Sequence, residues 1–205
     1  AIWKELVQKA GEVKAMHIQD YLENKHVHFV IRSHKPAFDS QHLAAREHVS
    51  GMDVAKPVVV KADDKFYMCV LAACCKVDME ILRQQIGAEE IRLANEYELA
   101  HLFPDCQLGA EPPFGNIYDM PTIIDQALAP DDYIIFQADR HDMAIEMQMK
   151  DYHKIVKPKV LSFSYHLHWQ LKDTGPKKPK LPGVREEQKR SGKAQKDRLN
   201  CQDTV

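Results

Sequence analysis

Two stretches of this 205-residue chain hold residue types and spacings that could do chemistry. The first is Lys56 within Val54-Ala55-Lys56-Pro57-Val58-Val59-Val60. Alternate side chains of a strand share a face, so Lys56 would lie with Val54, Val58 and Val60. An ammonium on an apolar face must snorkel to water, meet an anion, or lose proton affinity. A lysine at a strand's start whose head reaches solvent is the ordinary reading; a cation held ready for a ligand is the functional one. The second stretch is Gly109-Ala110-Glu111-Pro112-Pro113-Phe114-Gly115. Glycine permits turns and close approach to a ligand, while proline stiffens the loop and removes N–H groups, so the remaining amides can be aimed at one spot. Phe114, with Tyr118 close behind, offers a ring on which a base could stack. A rigid connector would have the same composition.

Other chemistries lack their residues. Eight glycines are too few and too scattered for a GxGxxG turn or a P-loop. No serine sits in a G-x-S-x-G elbow, and there is no HExxH or CxxC. His26/His28 and His166/His168 have a spacing at which two imidazoles of one strand could share an ion, and Cys74–Cys75 offers thiolates. No third and fourth ligand is marked by spacing, so the metal signal is weak. The five cysteines (Cys69, Cys74, Cys75, Cys106, Cys201) are odd in number and sparse, which fits a reduced cytoplasmic setting better than a disulfide framework.

These residues need elements to position them. Ile2, Leu6, Val7, Ala10, Val13, Ile18, Tyr21 and Leu22 recur at helical spacing, predicting one or two amphipathic helices over residues 1–24. His26 to Ile31 reads as a strand stopped by Pro36. Asp39 or Ser40 then caps a helix running to His48, with Leu43 and Ala44 inward. The polar Ala62–Lys65 turn between two β-rich runs predicts a hairpin. Asp78 opens a helix that Gly87 ends; Ile91–Leu93 is a short strand; Asn95 with Glu98 starts a helix ending before Pro104. Strands follow at Pro121–Asp125, Asp132–Ala138 and Met143–Met149, then a helix over about 151–156 that Pro158 closes. Roughly seven strands and five or six helices in irregular order, with hairpins, predict an α+β fold around a mixed, curled, barrel-like sheet with surrounding helices.

Composition bounds the rest. The chain is 44% hydrophobic and 28% charged, enough to bury a core. No apolar run approaches the roughly 18–20 residues of a membrane span, and no signal peptide is read at the start, so a cytoplasmic protein without membrane contact is expected. The net charge of −2 conceals an asymmetry: residues 172–205 hold 10 Lys/Arg against 5 Asp/Glu, leaving 18 against 25 in the rest. An acidic body argues against a broad nucleic-acid-coating surface but allows a pocket for one nucleotide end. Two units are expected: a domain over 1–160, and a basic extension over 161–205 that is largely disordered or a linker, through which a further domain or partner could attach.

From about His26 to Val156 the chain resembles the YbaK/prolyl-tRNA-synthetase-associated domain family of trans-editing aminoacyl-tRNA deacylases. The resemblance runs in register through SHKPAFDSQHLAAREHVSGMDVAKPVVVK, VLAACCKVDMEIL, ELAHLFPDCQLGAEPPFG, PTIIDQAL and IIFQADRHDMAIEM. It implies a compact α+β domain that hydrolyses the ester joining a wrong amino acid to the terminal adenosine of a tRNA. The family's essential lysine falls on Lys56, its G-x-x-x-P loop on Gly109 to Pro113 followed by Phe114-Gly115, and its strand aspartate on Asp125. His34 and His141 fall where many relatives carry histidine. The implied substrate is a mischarged aminoacyl-tRNA, with proton chemistry from the tRNA's own ribose hydroxyl and an ordered water, and with no metal or other cofactor. An aminoacyl ester is already activated, so loop amides that hold the developing oxyanion, each worth about 2.7–4 kcal/mol, and a lysine on phosphate or negative charge suit the reaction. Sorting by pocket size yields only about 1–3 kcal/mol per methylene, which is why a separate hydrolytic sieve is useful. The chain departs from the family at Pro57 (commonly Thr), Asp139 (commonly Gly), Cys74–Cys75 and Asp39. Asp139 is expected to add charge near the pocket. These departures leave a second reading, a catalytically degenerate domain that binds aminoacyl-tRNA or a nucleotide in a regulatory role.

Overall fold

Asp63 takes a left-handed backbone (φ 51) and so turns the chain back on itself between β2 (Ala55–Ala62) and β3 (Lys65–Ala72), which pair antiparallel with Ala62 opposite Lys65. Its carboxylate also accepts the amides of Glu89 and Glu90, tying the turn to the strand that follows them. The computed structural model describes residues 17–47 and 49–166. The expected helical segment over 1–16, the end of the second helix at His48, His168 and the basic extension from 167 lie outside the described residues.

Ten strands and five helices are found among the described residues, in an α+β arrangement. The hairpin is the middle of a five-stranded sheet. β5 (Ile91–Leu93) lines the outer side of β2; β6 (Thr122–Asp125) runs parallel to β3, and β9 (Lys159–Leu161) parallel to β6. β3 and β6 are covered on both faces, so they read as near-continuous apolar runs. Their alternate residues feed two cores. Met68, Val70 and Ile124 pack with Phe114, Phe136, Ile145 and Tyr152; Cys69, Leu71 and Ile123 pack with Leu82 and Phe163. A second sheet is antiparallel, in the order β1 (Phe29–Ser33), β8 (Met143–Gln148), β7 (Tyr133–Gln137). A parallel bridge from Ile135 to Val54 seats it against the approach to β2. The third sheet pairs β4 (Cys75–Val77) with β10 (Ser164–His166). The strand order thus runs through three sheets rather than one, and it does not return on itself into a closed ring among the described residues.

The helix ends follow their capping residues. α1 (Ile18–Asn24) precedes β1, and α2 (Ser40–Glu47) starts where Asp39 accepts the His42 amide at 2.8 Å. α3 (Met79–Ile86) is opened by Asp78, which accepts from Ile81, and closed by Gly87 at φ 73. α4 (Glu96–Leu102) carries the full Asn95/Glu98 capping box. α5 (Met149–Val156) starts two residues earlier than its sequence suggests.

Two other boundaries differ. β1 begins at Phe29 rather than His26, because the His26 amide bonds back to Glu23 and the Val27 amide to Leu22, so these residues finish the helix. Pro158 does not close the packed region: β9 and β10 follow it, and Phe163 between them is fully buried. Pro57 sits comfortably inside β2 because β5 pairs only with Val60, Lys61 and Ala62, leaving that side of Pro57 without a strand partner. No helix among the described residues is long and apolar enough to cross a membrane.

Candidate functional site

Lys56 lies near the start of β2, opposite Leu71, and is half-buried. Its Nζ donates to the carbonyl oxygens of Ala73 (3.2 Å) and Cys75 (2.6 Å), at the turn that joins β3 to β4. Burial pushes this ammonium below the ordinary lysine value; Cys75, Cys74 and Asp39 pull it back, and Lys76 deepens the depression. No carboxylate lies within ion-pair distance of it among the described residues. It is a cation kept by neutral oxygens, with Asp39 near enough to be felt.

Asp39 belongs to the segment between β1 and α2, and the other side of that segment meets the glycine–proline loop. A Cβ on Gly109, whose φ is 89, would lie 3.6 Å from the Phe38 carbonyl oxygen and 3.7 Å from His141 Cε1. The Phe38 ring lies 5.1 Å from the His141 ring and is 74% exposed. The Ala37 amide bonds to the His141 carbonyl, and the His34 amide to the Asp142 carbonyl. Gln137, buried on β7, donates its side-chain amide to the Ala37 carbonyl and fixes the segment from below. His34 Nδ1 bonds the Lys35 carbonyl at 2.8 Å; a carbonyl only accepts, so Nδ1 carries the proton. In the neutral ring that makes His34 Nε2 the acceptor; it is buried and without a hydrogen-bond partner, as His141 Nδ1 also is. The structure therefore gathers His34, Phe38, Gly109 and His141 into one surface, and Lys56 is linked to it by the charge of Asp39 rather than by a contact.

The loop itself has a wet end and a dry end. Leu108 and Gly109 are exposed; Ala110 to Gly115 are buried. Phe114 is fully buried with its ring edge-on to Tyr21, Phe136 and Tyr152, so it is core and offers no face to a base. The Pro113 carbonyl accepts the Tyr152 hydroxyl at 2.6 Å. Gly115 is glycine because a Cβ there would come within 2.6 Å of Thr122 Oγ1 and 2.7 Å of the Met120 carbonyl oxygen. The amides are not all free to converge on a ligand, as the composition of the loop suggests. Gly109 donates to the buried carboxylate of Glu111 at 2.9 Å, Ala110 to the Gln107 carbonyl, and Phe114 to the Pro112 carbonyl.

The two aspartates are spent on the fold. Asp125 is 3% exposed and accepts the amides of Ala127, Phe163 and Ser164 at 2.8–3.0 Å, which folds the chain around the end of β6. Asp139 is 4% exposed with φ 64, the left-handed backbone that glycine adopts without strain. Its Oδ2 accepts the Ile18 amide at 3.0 Å and lies 3.5 Å from His17 Nδ1. Its charge is buried under the start of α1 rather than presented to a pocket. Three participants were not legible. Phe38 carries no sequence mark beyond standing between Pro36 and a helix cap, Glu111 is hidden within the loop, and His166, though marked by its spacing, gives no sign that it pairs with Cys75 across 91 positions.

The sequence profile of the aminoacyl-tRNA editing domain matches residues 34–155, a span that begins at His34 and encloses Lys56, the glycine–proline loop and His141. The chain belongs to the aminoacyl-tRNA editing domain family. No curated protein matches it. Among solved structures, this editing domain is similar to hypothetical protein APE2540, with a TM-score of 0.66 and 17% identity over 72% of this chain and 99% of that one. It is also similar to one described as "a putative trans-editing enzyme for prolyl tRNA synthetase", with a TM-score of 0.63 and 17% identity over 74% of this chain and 96% of that one. At such identity the likeness is one of fold. Among the described residues, no three His, Cys, Asp or Glu side chains gather as a metal site requires.

Proposed function

We propose that this editing domain is a trans-acting deacylase, which hydrolyses the ester between a wrongly attached amino acid and the terminal adenosine of a tRNA. The observation that carries the reading is Lys56: a half-buried cation held by two neutral carbonyls, with no carboxylate claiming it, and within the field of Asp39, whose segment carries the His34, Phe38 and His141 surface. In this reading Lys56 holds the terminal phosphate or the negative charge that develops on the ester carbonyl. Phe38 takes the stacking role that Phe114, being core, does not fill, and its exposed ring suits the terminal adenine. His34 Nε2, covered in the unliganded chain, accepts a proton or hydrogen bond from a ribose hydroxyl or from the attacking water once substrate binding uncovers it. The proton chemistry runs through substrate hydroxyl and water, without a metal. Asp125 and Asp139 contribute by holding the frame.

One observation favours the binding-only alternative. The Gly109 amide is occupied by Glu111 and becomes an oxyanion donor only if that carboxylate gives way. The experiment is deacylation by the full chain of a panel of tRNAs mischarged with different amino acids, with and without chelator. The proposal predicts hydrolysis of at least one above the uncatalysed rate, unaffected by chelator. Tight binding of an aminoacylated tRNA with no hydrolysis of any would establish the alternative instead, and loss of rate with chelator would refute the metal-free route.

A further inference from the structure

Beside the amine of Lys56 stands a pair of thiols that the proposed reaction does not use. Cys74 and Cys75 lie at the turn from β3 into β4, both buried, and their thiols hydrogen-bond to one another. Cys74 Sγ lies 3.3 Å from Met52 Sδ. Cys75 is hydrogen-bonded by the Ser164 side chain and neighbours His166, both on the paired strand β10. The bond from Cys74, with help from His166 and Ser164, outweighs burial and holds the Cys75 thiol below its ordinary value. Burial pushes Cys69 and Cys106 up to about 12. Reactivity toward an oxidant needs thiolate character and access; among the described cysteines the first is greatest at Cys75, and the second requires the turn to open, since Cys74 and Cys75 are 6% and 4% exposed.

The backbone of the same pair grips Lys56. The Ala73 carbonyl immediately precedes the two cysteines and the Cys75 carbonyl ends them, and these are the two oxygens that hold Nζ. Neighbouring Cα atoms stand about 3.8 Å apart across a trans peptide, whereas bridged cysteines usually need about 4.4–6.8 Å. A bond between the two sulfurs closes a strained eight-membered ring through the Cys74–Cys75 peptide and resets the backbone torsions at its two Cα atoms, to which the Ala73–Cys74 peptide and the Cys75 carbonyl are attached. A local covalent change at the thiols cannot leave the lysine's seat as it was.

We propose that Cys74 and Cys75 form a redox switch on Lys56, in which a hydroperoxide joins them as a vicinal disulfide and the altered turn releases the amine from its carbonyls. The proposal rests on the role given to Lys56 above. The Cys75 thiolate attacks one peroxide oxygen, the O–O bond breaks, and Cys75 becomes a sulfenic acid. Cys74 sulfur then displaces that hydroxyl, forming the S–S bond. The two thiols lose two electrons and two protons; the peroxide gains them and leaves as water, or as water and an alcohol.

The test treats the full chain with hydrogen peroxide, blocks the remaining thiols, and maps the peptides by mass. The expected product is a peptide containing both cysteines that is lighter by two hydrogens and regains them with a dithiol reductant. The second measurement is the rate at which an amine-acylating reagent modifies Lys56. It should rise several-fold on oxidation and return on reduction, while hydrolysis of the best tRNA substrate falls about tenfold or more. Cys74→Ser, a near-isosteric change, should keep the reduced enzyme's rate and abolish the response. Oxidation that stops at sulfinic or sulfonic acid without a disulfide, or a disulfide that leaves Lys56 reactivity unchanged, would overturn the switch. Failure of the untreated chain to hydrolyse any tRNA would count against the deacylase alone, since the mass and lysine readouts do not depend on it.

Discussion

The residues singled out for chemistry separate into two regions with opposite fates. On the outer side, His34, His141 and Gly109 stand with Phe38 around the segment before α2, Lys56 feels the charge of that segment's Asp39, and two imidazole nitrogens there have no hydrogen-bond partner. On the inner side, Asp125, Asp139, Phe114 and Gly115 are buried and fully engaged by backbone or core. One sequence motif straddles the divide: the glycine–proline loop is exposed at Gly109 and core from Ala110 onward. The lesson is that a conspicuous pattern of residues marks a constructed place, and within it the frame and the reacting surface are different residues. Substitutions should obey the same split. Inner ones lower stability while sparing activity per folded molecule; outer ones do the reverse.

The largest effect on the frame is expected from Gly115→Ala. The added methyl would meet a backbone carbonyl at 2.7 Å, which cannot move aside, so a loss of about 3 kcal/mol or more is expected in denaturant unfolding. Asp125→Ala comes next. It strands the buried Phe163 amide and two part-buried ones, of Ala127 and Ser164, and should cost about 3 kcal/mol at most, with surviving protein as active as wild type. If Asp125→Ala instead folded normally and lost hydrolysis, the inner region would have to be redrawn.

Much of the frame was legible before any coordinates. Asp63–Asp64 between two β-rich runs, Asp78 with Gly87, and Asn95 with Glu98 are local signals, and each governs a bond within a few residues. β4, β9 and β10 were not legible because their pairing is decided by partners far along the chain; β9 and β10, unlike Ile91–Leu93, are also not apolar at both ends. The site divides in the same way. Lys56 stands out locally as a charge in an apolar run. Whether Phe114 or Phe38 faces solvent depends on what covers each, and no spacing encodes that. The expectation that Asp139 charges the pocket failed because its partner, the Ile18 amide, lies 121 positions away.

Asp139 provides the middle of the series. Asp139→Ala loses the acceptor for Ile18 and puts a Cβ without a local hydrogen bond in left-handed backbone, for about 2–3 kcal/mol; Asp139→Gly keeps the backbone at ease and should cost less, about 1 kcal/mol. The reverse order would mean that the backbone, not the cap, is the point of that residue. The smallest free-energy change is expected at Phe38. Being exposed, Phe38→Ala should leave unfolding unchanged but raise KM by the equivalent of about 1–2 kcal/mol of lost stacking, with Phe38→Trp restoring it. A stability loss with no change in KM would move Phe38 to the inner group.

The central claim is that the amine of Lys56, as a cation, serves the reaction and not the fold. The measurement is single-turnover hydrolysis of the best mischarged tRNA by wild type and Lys56→Ala, followed across pH and paired with their unfolding curves. Wild-type catalysis, relative to the spontaneous rate, should fall as rising pH removes the proton from Lys56, with that limb below 10.5 because burial lowers its affinity for the proton. Lys56→Ala should be slower by about 100-fold or more, lack the limb, and unfold within about 1 kcal/mol of wild type. Equal rates for the two proteins on every tRNA that wild type hydrolyses would contradict the account.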